Sequence, residues 1–214
     1  MKKVLLVVAL LIVILIGVVV WKFIFPRKST DQTPGPQGLL VSQHSDSFNE
    51  SMSKALNDYY TLAESFVNWD TAGVSSSLAK LKVSVDSIRI PEMQKDSAIY
   101  ETARSTWEVI KADIHGMQLD TSLAERRADL TMLSNNLFDL LRIVKFDVAK
   151  VYYHECPMAL NNYESSAYWL SSTGDLKNRR NPYLGLHDPK YGKSMLACGV
   201  TRDSIDFSAD STGK

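Results

Sequence analysis

Hydrophobic residues recur every three or four positions in four segments of the chain, which is the spacing of one helix face. The second segment opens at Asp70, which the pattern predicts to be an N-cap, and Pro91 closes it because proline interrupts a helix. The four predicted buried stripes are Phe48, Met52, Leu56, Tyr59, Leu62 and Phe66; Val74, Leu78, Leu81, Val85 and Ile88; Tyr100, Ala103, Trp107, Ile110, Ile114 and Met117; and Leu123, Leu130, Leu133, Leu137, Leu140, Val144 and Val148.

The ends of the third and fourth segments carry further signals. Gly116 predicts a break in the third helix, and Ser122 and Glu125 have the spacing of a capping box that starts the fourth. The charged run at residues 125–127 is typical of a solvated helix surface. Short connections between long neighbouring helices favour an antiparallel arrangement. We therefore predict a mainly α protein in which residues 47–149 form an antiparallel four-helix bundle.

An unbroken apolar run from Val4 to Trp21 precedes the bundle. This run is long enough to cross about 30 Å of hydrocarbon, and it ends in bulky residues where a signal-peptide cleavage site needs small ones. Residues 1–25 are therefore predicted to be an uncleaved transmembrane signal anchor. A short amino-terminal segment normally stays inside, so we expect a single-pass protein of the inner (cytoplasmic) membrane with its soluble domain in the periplasm.

Two other segments lack the spacing of a folded element. Residues 26–46 contain a run of proline and glycine, which predicts a flexible linker, and residues 206–214 are small and polar, which predicts a disordered tail. The chain contains 24 lysine and arginine residues and 24 aspartate and glutamate residues, so its formal net charge is zero. The charge balance therefore gives no indication of nucleic-acid binding.

The character of the chain changes in residues 150–205, which we predict to be a small module of irregular and β structure. Strand-forming residues lead into His154, Cys156 and Met158, whose side chains share one face if this segment is extended. Imidazole, thiolate and thioether together suit a soft metal such as Cu(I). Met195 and Cys198 follow about forty residues later, three positions apart.

Three interpretations of the cysteines stay open at this point. Cys156, Met158, Met195 and Cys198 could form a metal site with His154 as a fifth donor. Alternatively, the two cysteines form a disulfide in an oxidising compartment, or they are buried free thiols. A disulfide that opens to bind metal would satisfy the first two interpretations together. We find no motif for hydrolysis, phosphate binding or zinc catalysis, so we do not expect an enzyme.

Several short motifs together resemble a domain-of-unknown-function family, which occurs alone in the cell envelope or appended to periplasmic adaptor subunits of CusB-type heavy-metal efflux pumps. The motifs are Ala55–Tyr60, Arg127, Leu133-Ser134, Cys156-Pro157-Met158, Trp169-Leu170-Ser171, Asn181-Pro182-Tyr183, Gly192, Met195 and Cys198-Gly199. The resemblance covers about residues 50–205.

The resemblance implies a helical bundle with a C-terminal module that carries cysteine and methionine, and an association with copper or related metals. Cys156, Met158, Met195 and Cys198 match the family pattern. The chain departs from this pattern at residues 184–190, which lengthen the segment before Gly192. This insertion either separates the two halves of the site or forms a loop over them.

These observations lead to two functional hypotheses. The first is a membrane-tethered periplasmic heavy-metal-binding protein for copper, as Cu(I), with a role in metal efflux or homeostasis. Its partners would be the inner membrane and components of a heavy-metal efflux pump. The second is an interaction module of the cell envelope, in which a helical bundle binds a partner without a metal and a Cys156–Cys198 disulfide cross-links the chain.

Overall fold

The structure of this protein, a computed structural model, describes residues 42–175 and 177–208. The predicted signal anchor, most of the predicted linker and most of the predicted tail lie outside these residues. In the part of the chain that the structure describes, no helix is both long enough and apolar enough to span a membrane.

Four α-helices form the first two-thirds of the described chain, and they confirm the four helical segments predicted from the sequence. They are α1 (Asp46–Val67), α2 (Thr71–Asp86), α3 (Ser97–Leu119) and α4 (Leu123–Ile143), with a 3-10 helix at Ile90–Lys95 between α2 and α3. Each helix packs against the next one in the chain. We refer to α1–α4 as the bundle.

Both predicted N-terminal caps are present. The Asp70 carboxylate accepts a hydrogen bond from the Gly73 amide at 2.9 Å, and Ser122 and Glu125 form the capping box of α4. The predicted break at Gly116 is wrong, because α3 continues to Leu119. A glycine costs a helix only about 1 kcal/mol relative to alanine, and the buried contacts of this last turn outweigh that cost.

The predicted stripe of α4 extends too far, because the helix ends at Ile143 and Val148 is half exposed. Lys145 has a φ of 53°, and the amides of Lys145 and Phe146 return to the carbonyls of Arg142 and Leu141. This pair of bonds is a Schellman motif, which closes a helix by satisfying its last carbonyls. Phe146 is fully buried just beyond it.

A three-stranded antiparallel sheet follows the bundle, which confirms the predicted small C-terminal module with β structure. Its strands are β1 (Val151–Leu160), β2 (Ser165–Ser171) and β3 (Val200–Ile205), in the order β2-β1-β3. Between β2 and β3 the described residues are irregular apart from a 3-10 helix at Gly192–Ala197.

The sheet and the bundle share one hydrophobic core. On one face of β1, the Tyr153 ring stacks on Phe138 of α4 with 4.6 Å between ring centroids, and its hydroxyl donates to Asn135. On the opposite face, His154 and its cross-strand neighbour Trp169 pack together with ring centroids 5.2 Å apart. The irregular segment before β3 covers this second face.

Candidate functional site

The two cysteines of the chain form a disulfide between Cys156 and Cys198, with their Cα atoms 5.8 Å apart. Cys156 is fully buried in the middle strand, whereas Cys198 directly follows the 3-10 helix and donates its amide to the Met195 carbonyl at 3.1 Å. The structure therefore agrees with the second of the three interpretations of the cysteines, the disulfide. The insertion at residues 184–190 does not separate the two halves.

The inserted segment packs instead against the end of α1. The Leu186 amide donates to the Val67 carbonyl at 3.0 Å, and a Cβ atom at Gly185 would clash with that same carbonyl. Gly185 has a φ of 58°, a conformation that glycine adopts without steric cost. The insertion therefore attaches the C-terminal module to the bundle.

His154, two residues before Cys156, is fully buried, and both of its ring nitrogens have partners. Nε2 lies 3.1 Å from the Thr173 carbonyl oxygen, which can only accept, so Nε2 carries the proton. Nδ1 then accepts a hydrogen bond from the Thr201 hydroxyl at 3.1 Å. Burial lowers the pKa of His154, which keeps the imidazole neutral.

The predicted methionine ligands occupy different environments. Met195 is buried within the 3-10 helix, while Met158 is only partly buried and lies in the stretch between Cys156 and Leu160, where the pairing register of β1 with β2 shifts. The regular alternation that would place Met158 on the same face as His154 and Cys156 is therefore interrupted in this stretch. In residues 42–175 and 177–208, no cluster of three or more His, Cys, Asp or Glu side chains could hold a metal ion. A metal at the predicted site would require reduced cysteines, because a thiolate is the ligand.

The burial of Arg127 differs most from the sequence interpretation, which assigned this residue to a solvated helix surface. The side chain is only 8% exposed, and its guanidinium lies over the Trp69 ring at 4.2 Å from the centroid. Burial lowers the pKa of Arg127 to about 10. Arg127 follows Leu123 by four positions and precedes Leu130 by three, so its place on the apolar stripe was the signal that it would be buried.

Arg127 has few polar partners for a buried guanidinium. Its Nε and Nη2 atoms each reach one backbone carbonyl, those of Pro182 and Phe66, and both distances are 3.4 Å. Among the residues that the structure describes, no carboxylate forms an ion pair with it. The nearby Asp188 carboxylate accepts hydrogen bonds from Tyr163 and from the amides of Lys190 and Tyr191.

Arg127 lines a cavity of about 450 Å³ between the bundle and the C-terminal module. The cavity, which we call the Arg127 cavity, has walls from the end of α1, the start of α4, the β1–β2 turn and the segment after β2. Its lining includes Trp69, Ala128, Ala159, Tyr163 and Leu184. Side chains that are far apart in the sequence therefore meet around the buried guanidinium of Arg127.

The backbone around the Arg127 cavity adopts unusual conformations. Four of the six described non-glycine residues with positive φ line it: Trp69 at 55°, Asn161 at 51°, Asn162 at 55° and Tyr163 at 73°. A left-handed conformation costs a bulky residue about 1–3 kcal/mol, and such residues concentrate at functional sites. Trp69 is held there by a hydrogen bond from its indole Nε1 to the Leu184 carbonyl at 3.1 Å.

Residues 55–147 match the model of a family described as Protein of unknown function (DUF3347). The match supports the predicted domain-of-unknown-function family, although it covers less than half of the 214 residues. It includes Trp69 and Arg127 but ends before β1, so Cys156 and Cys198 lie outside it. No curated protein and no solved structure matches the chain.

Proposed function

We propose that this protein is a membrane-tethered binding module of the periplasm, in which the bundle and the disulfide-bonded C-terminal segment together form a ligand site. The observation that carries the proposal is the Arg127 cavity, where a buried guanidinium that pairs with no carboxylate of the described residues contacts a wall of aromatic and apolar side chains. Concave, mostly apolar sites with a few polar groups are typical of small-molecule binding.

The disulfide supports the proposed compartment. Cysteine pairs stay oxidised in the periplasm and in other extracytoplasmic spaces, whereas the cytosol keeps them reduced. The apolar run at residues 4–21 supplies the proposed tether. The covalent loop between Cys156 and Cys198 contains the β1–β2 turn and the segment with Leu184, which form one side of the cavity. The disulfide therefore limits the freedom of that side.

The location can be tested in cells that produce the full chain. We expect the protein in the membrane fraction, accessible to protease added outside the inner membrane, with both cysteines resistant to alkylation until a reductant is added. A soluble form without the first twenty-odd residues, or thiols that react without reduction, would contradict the proposed tether or compartment.

Ligand binding can be tested on the full chain purified gently in detergent. Native mass spectrometry should show a co-purifying small molecule, which a variant with a blocked cavity lacks. Ala128→Trp places a large ring at an exposed position that lines the cavity, and Met132→Trp places the same ring on α4 at a position that does not line it. Equal ligand occupancy in the two variants would overturn the proposed site.

A second candidate function is Cu(I) binding in the reduced state, linked to metal efflux. The observation in its favour is that Cys156 and Cys198 are in direct contact, with Met195 three residues before Cys198. Thiolate and thioether donors prefer Cu(I) to ions that require oxygen ligands. His154 and Met158 complete the proposed donor set, and for His154 this requires loss of one ring hydrogen bond.

The reduced full chain should then take up one equivalent of Cu(I) from a competing chelator. Cys156→Ser or Cys198→Ser should weaken this uptake strongly, whereas His187→Ala, at an exposed position, should not change it. If reduction lowers stability without any gain in Cu(I) affinity, the disulfide is purely structural and the copper hypothesis fails.

A further inference from the structure

We infer that the Arg127 cavity binds a small organic monocarboxylate with an aromatic or apolar body, and that Arg127 holds its carboxylate. The inference rests on the proposed binding function and names the chemical class of the ligand. Its basis is the contrast between one buried positive charge and the largely apolar walls around it.

The charge of Arg127 argues for an anion. A guanidinium has five N–H donors, and among the described residues Nε and Nη2 alone have acceptors, both at 3.4 Å. Nη1 has no hydrogen-bond partner among the described residues. Neutral carbonyls do not balance a buried charge, whose desolvation is costly. A carboxylate would supply the missing charge and fits the planar fork of arginine with two parallel hydrogen bonds.

The walls of the cavity argue for an apolar or aromatic body. Ala128, Ala159 and Leu184 offer no hydrogen-bonding side chain, and Trp69 presents a ring that already carries the guanidinium on its face. The volume of about 450 Å³ lies in the range of cavities that hold small ligands. A body of one or two rings would fill such a space with apolar contact.

Asp188 argues for a single negative charge on the ligand. It lines the same cavity and is 6% exposed, and its carboxylate is fixed by the Tyr163 hydroxyl at 3.0 Å. A second anionic group on the ligand would meet this fixed charge of the same sign, and repulsion in a partly buried site is strong. We therefore expect discrimination against dicarboxylates and phosphates.

The proposal can be tested with phenylacetate, its neutral isostere phenylacetamide, and inorganic phosphate on the full chain in detergent. Ligand-detected NMR should show that phenylacetate binds at least tenfold more tightly than either of the other two. Ala128→Trp should abolish binding of phenylacetate and Met132→Trp should leave it unchanged. Equal affinities for phenylacetate and phenylacetamide would overturn the role of Arg127 in binding a carboxylate. The cavity would then bind an uncharged ligand, as the proposed function alone allows. Tighter binding of phosphate would overturn the proposed ligand class.

Arg127→Met separates a binding role from a structural one. A buried guanidinium without a counter-ion has a desolvation cost that no charge offsets, and methionine removes this cost while it keeps an apolar side chain of similar length. We therefore expect this variant to keep or raise its melting temperature while its affinity for phenylacetate falls at least tenfold. Arg127→Lys keeps the charge but loses the planar fork. Its affinity for phenylacetate should lie between those of the natural chain and of Arg127→Met. A lower melting temperature with unchanged affinity would show that Arg127 only connects the bundle to the module, and would overturn the inference.

Discussion

The phenolic oxygen of Tyr59 in α1 lies 2.6 Å from the hydroxyl oxygen of Ser134 in α4, and both side chains are fully buried. Ser134 donates its own hydrogen to the Leu130 carbonyl at 2.5 Å, so Tyr59 is the donor to Ser134. The Tyr59 oxygen also accepts from the Leu170 amide of the edge strand β2 at 3.1 Å. One hydroxyl thus connects α1, α4 and the sheet.

Tyr59→Phe should destabilise the protein by about 1–3 kcal/mol, because it leaves the buried Leu170 amide without an acceptor. The neighbouring substitution Tyr60→Phe is the control, since the Tyr60 hydroxyl has no hydrogen-bond partner among the described residues. Urea unfolding followed by circular dichroism measures both. Equal urea midpoints for the two variants would mean that the hydrogen bonds of the Tyr59 hydroxyl do not stabilise the protein.

Leu137→Asp should cost at least about 3 kcal/mol, since it removes apolar contact and buries a charge without a partner. Leu137 is 1% exposed in α4, whereas Met132 of the same helix is 55% exposed. Met132→Asp should therefore change the melting temperature little. Similar losses at both positions would contradict the buried face assigned to α4.

Loss of the disulfide should lower the free energy of unfolding by about 4 kcal/mol, the loop-closure value for a separation of 42 residues. The double variant Cys156→Ala/Cys198→Ala should show this loss relative to the oxidised protein in urea unfolding. A reductant should lower the stability of the natural chain and leave the double variant unaffected. No difference between the oxidised protein and the double variant would contradict a stabilising role.

Acidification should destabilise the protein in part through His154. Burial lowers the pKa of His154, so the unfolded chain takes up a proton more readily than the folded one. The stabilising contribution of the neutral ring is therefore complete above the unfolded pKa of about 6.5 and is lost as the pH falls below that value. His154→Gln should lose less stability than the natural chain between neutral and mildly acidic pH.

His115→Gln, at an exposed position of α3, is the control for this effect. It should follow the natural chain across the pH range when melting temperatures are compared. If His154→Gln also follows the natural chain, another titrating group must account for the acid sensitivity.

The bundle could be predicted from the sequence because its signals are local. A stripe of period 3.6 and the Ser122–Glu125 capping box lie within one helix each, and the structure contains both. The end of α4 was misplaced because Val148 continues the hydrophobic spacing beyond the Schellman turn at Lys145. Spacing alone cannot show where the backbone reverses.

The Arg127 cavity could not be predicted because it depends on contacts across long separations. The hydrogen bond from Trp69 to Leu184 spans 115 positions, and no local pattern indicates it. For Arg127, the neighbouring charges Glu125 and Arg126 outweighed its position on the apolar stripe, and the interpretation as a solvated surface followed from them. The choice between a disulfide and a metal site likewise required the position of β1 relative to Cys198.

The covalent loop closed by Cys156 and Cys198 has a thermodynamic consequence, because Tyr163, Leu184 and Asp188 of the Arg127 cavity all lie inside it. If the closed loop holds these residues in their binding geometry, a ligand binds the oxidised protein more tightly than the reduced protein. Coupling between two sites is reciprocal, so an occupied cavity must make the disulfide harder to reduce by the same factor. The redox state of the cell envelope would then change the affinity for the ligand, and the ligand concentration would change how readily the disulfide is reduced.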